Sequence, residues 1–386
     1  MEDLLRLISQ AAKENIDWSG IEAVLSSFAI PMSRTQQNPT FHAEGDVWTH
    51  TKMVCEEMVM LDSFRNLTED EQQILFLAAL LHDIGKIPTT RWEGGRWISP
   101  NHTLVGSKMA RQFLGLDMGL CGTPDKMEFR ETVCNLIRYH SFPPYAIDDP
   151  DGKRKLIAIA ANGELCPLFS IELLCVLCEA DALGRVCIDE HDRIHMVEQV
   201  QLCREFVFSL HFPLGPFPFA SDHTKFSYLS GRNIPPEMKL YDDTWGEVHM
   251  LSGLPGTGKD TWVKNITLPM ISLDEIRREM KISPTDNQGK VLEIARERAR
   301  EFLRKKQTFV WNATNLSPQV RAKQIKLFTQ YHASTRIIYL ETDWEEQLRR
   351  NASRTDAVPE QAICHMMEEL VLPEAKEAHK VMWHCI

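Results

Sequence analysis

The hydrophobic period of this chain changes once, and that change limits its architecture more than any other feature. Up to about residue 208, apolar residues recur at spacings of three and four, the signature of amphipathic helices packing on one another. From His211 to Asp243 the composition shifts to FPLGPFPFASDH and SGRNIPPEMKLYDD, rich in Pro, Gly and aromatics and without a period. Beyond it the pattern becomes strand, loop, helix. VHMLS and PMISLD read as strands, a helix runs through Lys290 to Lys306, TFVWN is a further strand, a helix starts at Ser317, and RIIYLET is a strand again. These readings predict an all-α helical bundle over residues 1–208, a linker over 209–244 and an α/β module with a parallel sheet over 245–386. At 386 residues the chain exceeds what one hydrophobic core serves, and no internal repeat relates its halves.

The first module holds a His…His-Asp…His…His…Asp series: His50, His82, Asp83, His102, His140 and Asp181. His50 shares a helix face with Val54. His82-Asp83 ends the apolar helix ILFLAALLHDIGK, and His102 follows a plausible helix cap at Asn101. His140 continues the Val133, Leu136, Ile137 stripe, and Asp181 continues the Leu174, Cys178 face. Six polar groups thus point from apolar faces toward one interior. Leaving them unpaired there would cost several kcal/mol each, about 1–3 even on protein-based scales. A divalent transition ion removes that cost, and Asp83 is suited to bridge two of them. Mn2+, Ni2+, Co2+ and Zn2+ all tolerate such a shell.

This pattern resembles the HD phosphohydrolase superfamily over roughly residues 40–190, and the presence of His102 and His140 is similar to its two-metal members. The resemblance implies phosphoester hydrolysis. Lys86, one turn beyond the His-Asp pair, and Arg185, just after Asp181, then stand as candidate phosphate contacts or as solvated cations at helix ends. TTRWEGGRWIS reads as a hairpin whose Trp92 and Trp97 flank a Gly-Gly turn, a structural turn or a platform for a base.

The second module opens with a strand that breaks into GLPGTGKDT. Gly253, Gly256, Thr257 and Gly258 let backbone N–H groups close around phosphate oxygens, and Lys259 reaches the terminal phosphates of a nucleoside triphosphate such as ATP or GTP with Mg2+. Two departures stand out. The position after the lysine, usually Ser or Thr, is Asp260 followed by Thr261, either of which could assist the metal, and FVWNATN carries Asn312 where many such folds place an Asp. Asp274 ends the second strand reading, with Arg277 one turn later: a carboxylate to take the proton of an attacking hydroxyl, an arginine to hold the acceptor's phosphate. Arg350 and Arg354 stand four apart, on one helical face, as cations for transition-state charge.

Loop, Asp274-x-x-Arg277 element and late arginines together resemble P-loop polynucleotide kinases. With the PFPFASDH linker, the whole is similar to the bacterial HD-Pnk family of nucleic acid end-healing enzymes. That resemblance implies a kinase for 5′-OH ends, a hydrolase for 2′,3′-cyclic phosphate and 2′ or 3′ phosphate, RNA or DNA ends as substrates, and a ligase acting downstream. The formal charge of −11 excludes a coat for long nucleic acid but leaves room for an end-binding enzyme using local cations such as Arg277-Arg278 and Arg349-Arg350. A metabolic kinase joined to a nucleotide hydrolase, or a nucleotide sensor, remain open readings, because a loop and a fold do not name the acceptor. No apolar run is long enough to span a bilayer and MEDLLRLISQ is no signal peptide, so the expected site is the cytoplasm, with no membrane partner. Ten cysteines scattered through apolar stretches, Cys175 and Cys178 among them, read as reduced core thiols.

Overall fold

The computed structural model describes every residue except 1, 12–14, 265 and 284–285. The chain forms two compact units, Met1–Leu120 with Asp125–Phe217, and Cys121–Pro124 with Pro218–Ile386.

The first unit is helical and is organised by one apolar helix, Glu69–Leu81. Its start is fixed reciprocally: Thr68 Oγ1 accepts from Glu71 N at 3.4 Å, and the Glu71 carboxylate accepts from Thr68 N at 2.9 Å. All eight residues from Ile74 to Leu81 are buried, which only a helix surrounded by others can satisfy. Helices Val47–Met60, Ile171–Leu183 and Glu2–Ala11 pack against it. Two of these carry side-chain caps. Asp46 accepts from Thr49 N at 2.9 Å and Ser170 from Leu173 N at 3.1 Å, so the helix starts are written locally. Among the described residues, the strands of this unit are those of the hairpin of β1 (Arg91–Glu93) and β2 (Arg96–Ile98). Gly94 (φ 59°) and Gly95 (φ 79°) supply the two left-handed positions of its turn, and Trp92 pairs with Trp97 at a ring separation of 5.3 Å.

The second unit is α/β. Its strands β3 (Glu247–Ser252), β4 (Met270–Ser272), β5 (Val310–Asn312), β6 (Ser334–Glu341) and β7 (Lys380–Cys385) form a sheet of order β4-β5-β3-β6-β7, with every pairing parallel. Both faces are covered, as a parallel sheet requires. Val248, Met250, Trp311 and Ile337 enter one core, and Leu251, Val310, Ile338 and Leu340 the other. β7 was not foreseen. The segment read as a linker holds a helix, Asp222–Leu229, capped by Ser221 accepting from Thr224 N at 3.1 Å. Eight residues are too few to show a helical period beside so many prolines. Ser252, Ser272 and Asn312 end β3, β4 and β5, the sheet edge where open α/β folds present chemistry.

Candidate metal centre and candidate phosphate loop

Five elements of the helical unit deliver the His/Asp series to one place. His50 lies on Val47–Met60, and His82 and Asp83 directly follow Glu69–Leu81. His102 begins His102–Gln112, His140 directly follows Pro124–Tyr139, and Asp181 lies on Ile171–Leu183. Asp83 is the hub. Its carboxylate lies 3.2 Å from His82 Nε2, 3.5 Å from His102 Nε2 and 3.9 Å from His140 Nε2. Two trios share it, His50–His82–Asp83 and Asp83–His102–His140, each compact enough to hold a metal ion.

Two glycines allow this convergence by leaving out a side chain. A Cβ on Gly85 would sit 2.0 Å from the His102 carbonyl oxygen, and one on Gly184 would sit 2.7 Å from Val54 N. Neither has the left-handed φ that favours glycine; close approach alone requires it. The Asn101 reading needs correction. Asn101 stands at the N-cap position in a left-handed conformation (φ 57°) and makes no side-chain capping bond.

The hydrogen bonds favour metal ligation. Nδ1 of His82, His102 and His140 faces a carbonyl oxygen three residues back, at 2.7, 2.9 and 2.8 Å. A carbonyl only accepts, so each Nδ1 carries the proton and each Nε2 presents a lone pair. Burial pushes His140 down to about 3 and lowers His102, keeping both neutral at pH 7. His82 Nε2 and Asp83 Oδ1 are buried and lack a hydrogen-bond partner, which a bound cation would supply. The Asp83 carboxyl is held well below the usual range: burial opposes this, but the Lys86 ammonium and the imidazoles beside it outweigh it. His50 differs. Burial lowers its pKa, yet Asp181 at 3.0 Å and Glu44 at 2.9 Å hold it above the ordinary value. A proton between carboxylates is a position a divalent ion can take with proton release.

Glu44 is a residue the series did not include. It sits in the HAEGD stretch just before the Asp46 cap, and its other oxygen accepts from Val186 N at 3.0 Å. The carboxylate upstream of His50 was the available signal. Lys86 lies 2.6 Å from Asp83 and donates to Gln37 at 2.8 Å, while Arg185 donates to Asp181 at 2.6 Å. Both cations line a cavity of ≈ 390 Å³, together with Trp97, His102, Tyr145 and His195. Trp92 faces solvent instead, 59% exposed. Cys178 donates to the His140 carbonyl at 2.8 Å and Cys175 is fully buried, which places both thiols in the packing behind the cluster.

In the α/β unit, Gly253 (φ 144°), Gly256 (φ 86°) and Gly258 (φ 86°) shape the turn between β3 and helix Lys259–Lys264. Lys259 Nζ folds back on it, donating to the carbonyls of Gly253 and Leu254 at 2.9 and 2.7 Å. Thr257 is buried, with its hydroxyl on the Leu254 carbonyl at 2.9 Å. Asp260 is exposed and accepts from Asn312 Nδ2 at 2.9 Å, while Thr261 faces solvent one position on.

Asp274 does not end a strand: β4 stops at Ser272, and Asp274 sits in the first turn of helix Leu273–Met280, ion-paired to Arg277. Ser272 caps this helix, drawing Asp274 into it. The shared helical face of Arg350 and Arg354 is also corrected. Helix Trp344–Ala352 carries Arg350, whose Nε donates to Glu346 at 2.6 Å, but ends before Arg354. Both still reach the loop. An Arg350 nitrogen lies 3.5 Å from where a Gly258 Cβ would be, and Arg354 lies 3.8 Å from Asp260.

Residues 47–185 match the HD domain family, and residues 248–373 match an AAA domain family. The chain joins an HD domain to a P-loop kinase-like domain. Those matches support a metal-dependent hydrolase and a nucleotide-using kinase on one polypeptide. No helix among the described residues is long and apolar enough to cross a membrane.

Proposed function

We propose that this protein heals broken RNA or DNA ends, phosphorylating 5′-OH termini with a nucleoside triphosphate and hydrolysing 2′,3′-cyclic phosphate and 2′ or 3′ phosphate at the other end. The observation that carries the reading is the arrangement around Lys259: the glycine turn that it folds back on and the nearby Asp274–Arg277 ion pair, on a chain that also holds the Asp83-centred cluster.

In the kinase step, Lys259 leaves the Gly253 and Leu254 carbonyls for the β- and γ-phosphates. The 5′-hydroxyl oxygen attacks the γ-phosphorus and the bond to the β-phosphate oxygen breaks. Asp274 accepts the hydroxyl proton, Arg277 holds the acceptor's 3′-side phosphate, and Arg350 and Arg354 offset the growing charge. Asp274 and Arg277 must part for this, so substrate binding exchanges their ion pair for contacts to the strand.

In the hydrolase, His50, His82, Asp83, His102, His140 and Asp181 would hold divalent ions, which would supply Lewis acidity and lower the pKa of water. Lys86 and Arg185 draw the phosphate into the cavity, whose ≈ 390 Å³ suits a terminal nucleotide rather than a duplex. Trp97 and Tyr145 offer faces for the base. A ligase that joins 5′-phosphate to 3′-OH would use the products.

Acceptor competition tests the reading. A 5′-OH oligonucleotide should take the γ-phosphate of ATP or GTP, and excess nucleoside or small alcohol should not compete. Preferential labelling of the nucleoside would replace this proposal with a metabolic kinase.

A further inference from the structure

Asp260 and Asn312, the two departures from the usual phosphate-loop pattern, are hydrogen-bonded to each other. P-loop enzymes commonly hold the Mg2+ of the bound triphosphate between a hydroxyl after the lysine and a carboxylate from a neighbouring strand. Here the residue after Lys259 is an acid, and β5, the parallel neighbour of β3, ends in an amide. The hydroxyl and carboxylate roles have become carboxylate and amide. One negative charge remains in the pair, but it has moved from the strand to the loop.

The surroundings pair that charge only loosely. Lys259 spends its ammonium on the loop carbonyls, and Arg354 stands at 3.8 Å, beyond hydrogen-bonding distance. Asn312 is 6% exposed and gives its amide N–H to Asp260 Oδ1, so a fixed group orients an exposed carboxylate. Thr261 has no such partner on β5. A hard divalent cation prefers oxygen donors and seldom takes more than one or two carboxylates from the protein when phosphates share it, which this pair satisfies.

We propose that Asp260 is the protein's carboxylate ligand for the Mg2+ of the bound triphosphate, with Asn312 as the neutral positioning residue that aims it. The inference rests on the kinase reading above. It also removes the ground for a turnover-dead nucleotide sensor, since the missing strand acid is replaced rather than lost.

The test uses the full-length protein, ATP, and Mn2+ as a spectroscopic stand-in for Mg2+. ATP affinity is measured by calorimetry with and without Mn2+, and the Mn2+ resonance is recorded with ATP bound. In the wild type, Mn2+ should tighten ATP binding. Asp260→Ser should lose that tightening, roughly tenfold or more, while still binding metal-free ATP. Asn312→Asp alone sets two carboxylates face to face. The double variant Asp260→Ser/Asn312→Asp rebuilds the hydroxyl–carboxylate arrangement and should recover most of the tightening and the bound Mn2+ signal. Full metal enhancement in Asp260→Ser overturns the proposal. So does a double variant that binds metal-free ATP normally yet gains nothing from Mn2+, and so does loss of metal-free binding in Asp260→Ser. No ATP binding by the wild type under any condition would instead refute the kinase reading itself.

Discussion

Lys259 should take up a proton when the triphosphate binds. Burial beneath the glycine turn pushes its pKa from 10.5 down to about 8, and the nearby Asp260 and Asp274 charges offset this only in part. The ligand-free ammonium is therefore mostly deprotonated at pH 9. A triphosphate brings fully ionised oxygens to the same atom and restores the charged form. If the bound pKa returns to 10.5 or above, binding at pH 9 takes up about 0.9 proton, and at pH 6.5 almost none. Affinity should fall as pH rises through 8, by up to about tenfold per unit, with a ceiling of about 3 kcal/mol across the gap. Lys259 is half-buried, so water screening makes that an upper limit. The same shift acts on folding: between pH 8 and 10.5 the unfolded chain binds more protons at this residue, so its contribution to stability improves as pH rises. Calorimetric titration with ATP in two buffers of different ionisation enthalpy, at pH 6.5 and 9, reads the uptake. Lys259→Arg, which stays charged, should bind with no proton uptake. Equal heats in both buffers at pH 9, with affinity flat from pH 7 to 9.5, would refute the reasoning.

Two further outcomes concern the helical unit. Glu131 is buried between Arg111, whose nitrogens lie 2.7 and 2.8 Å away, and Arg130 at 2.8 Å. Glu131→Gln strands two buried cations and should destabilise this unit by about 3–5 kcal/mol in urea unfolding; a shift below 1 would mean water already screens the group. Gly85→Ala forces a methyl group against the His102 carbonyl and should cost about 1–3 kcal/mol while lowering metal content in elemental analysis. Unchanged metal stoichiometry and melting temperature would show that the approach of the two segments is not tight.

The two-module plan was legible because hydrophobic period is a local property: ILFLAALL must be a surrounded helix, and VHMLS followed by glycines must be a strand entering a turn. The clustering of His50, His82, Asp83, His102 and His140 was legible for the same reason, since each lies on or directly after a helix whose stripe dictates its direction. What escaped reading depends on contacts distant in sequence. Glu44 meets His50 only because its loop is held beside residue 186, where Ala43 N donates to the Val186 carbonyl at 2.7 Å. Asp274 was misplaced by two residues because the Ser272 cap, not the strand's hydrophobicity, decides where β4 yields to helix. Arg354 was put on a helix that stops short of it. The Asn312–Asp260 bond joins positions 52 apart and shows only once β5 lies beside β3.

The most direct test gives one folded protein a short strand bearing a 5′-OH and a 2′,3′-cyclic phosphate, with ATP, Mg2+ and Mn2+, and identifies both termini by mass spectrometry. Wild type should yield a 5′-phosphate and a free 3′ end. His82→Ala should keep only the 5′ phosphorylation, and Lys259→Ala only the hydrolysis. Unaltered termini with wild type, or loss of both reactions in either folded variant, would contradict two separate phosphate-handling sites on this chain.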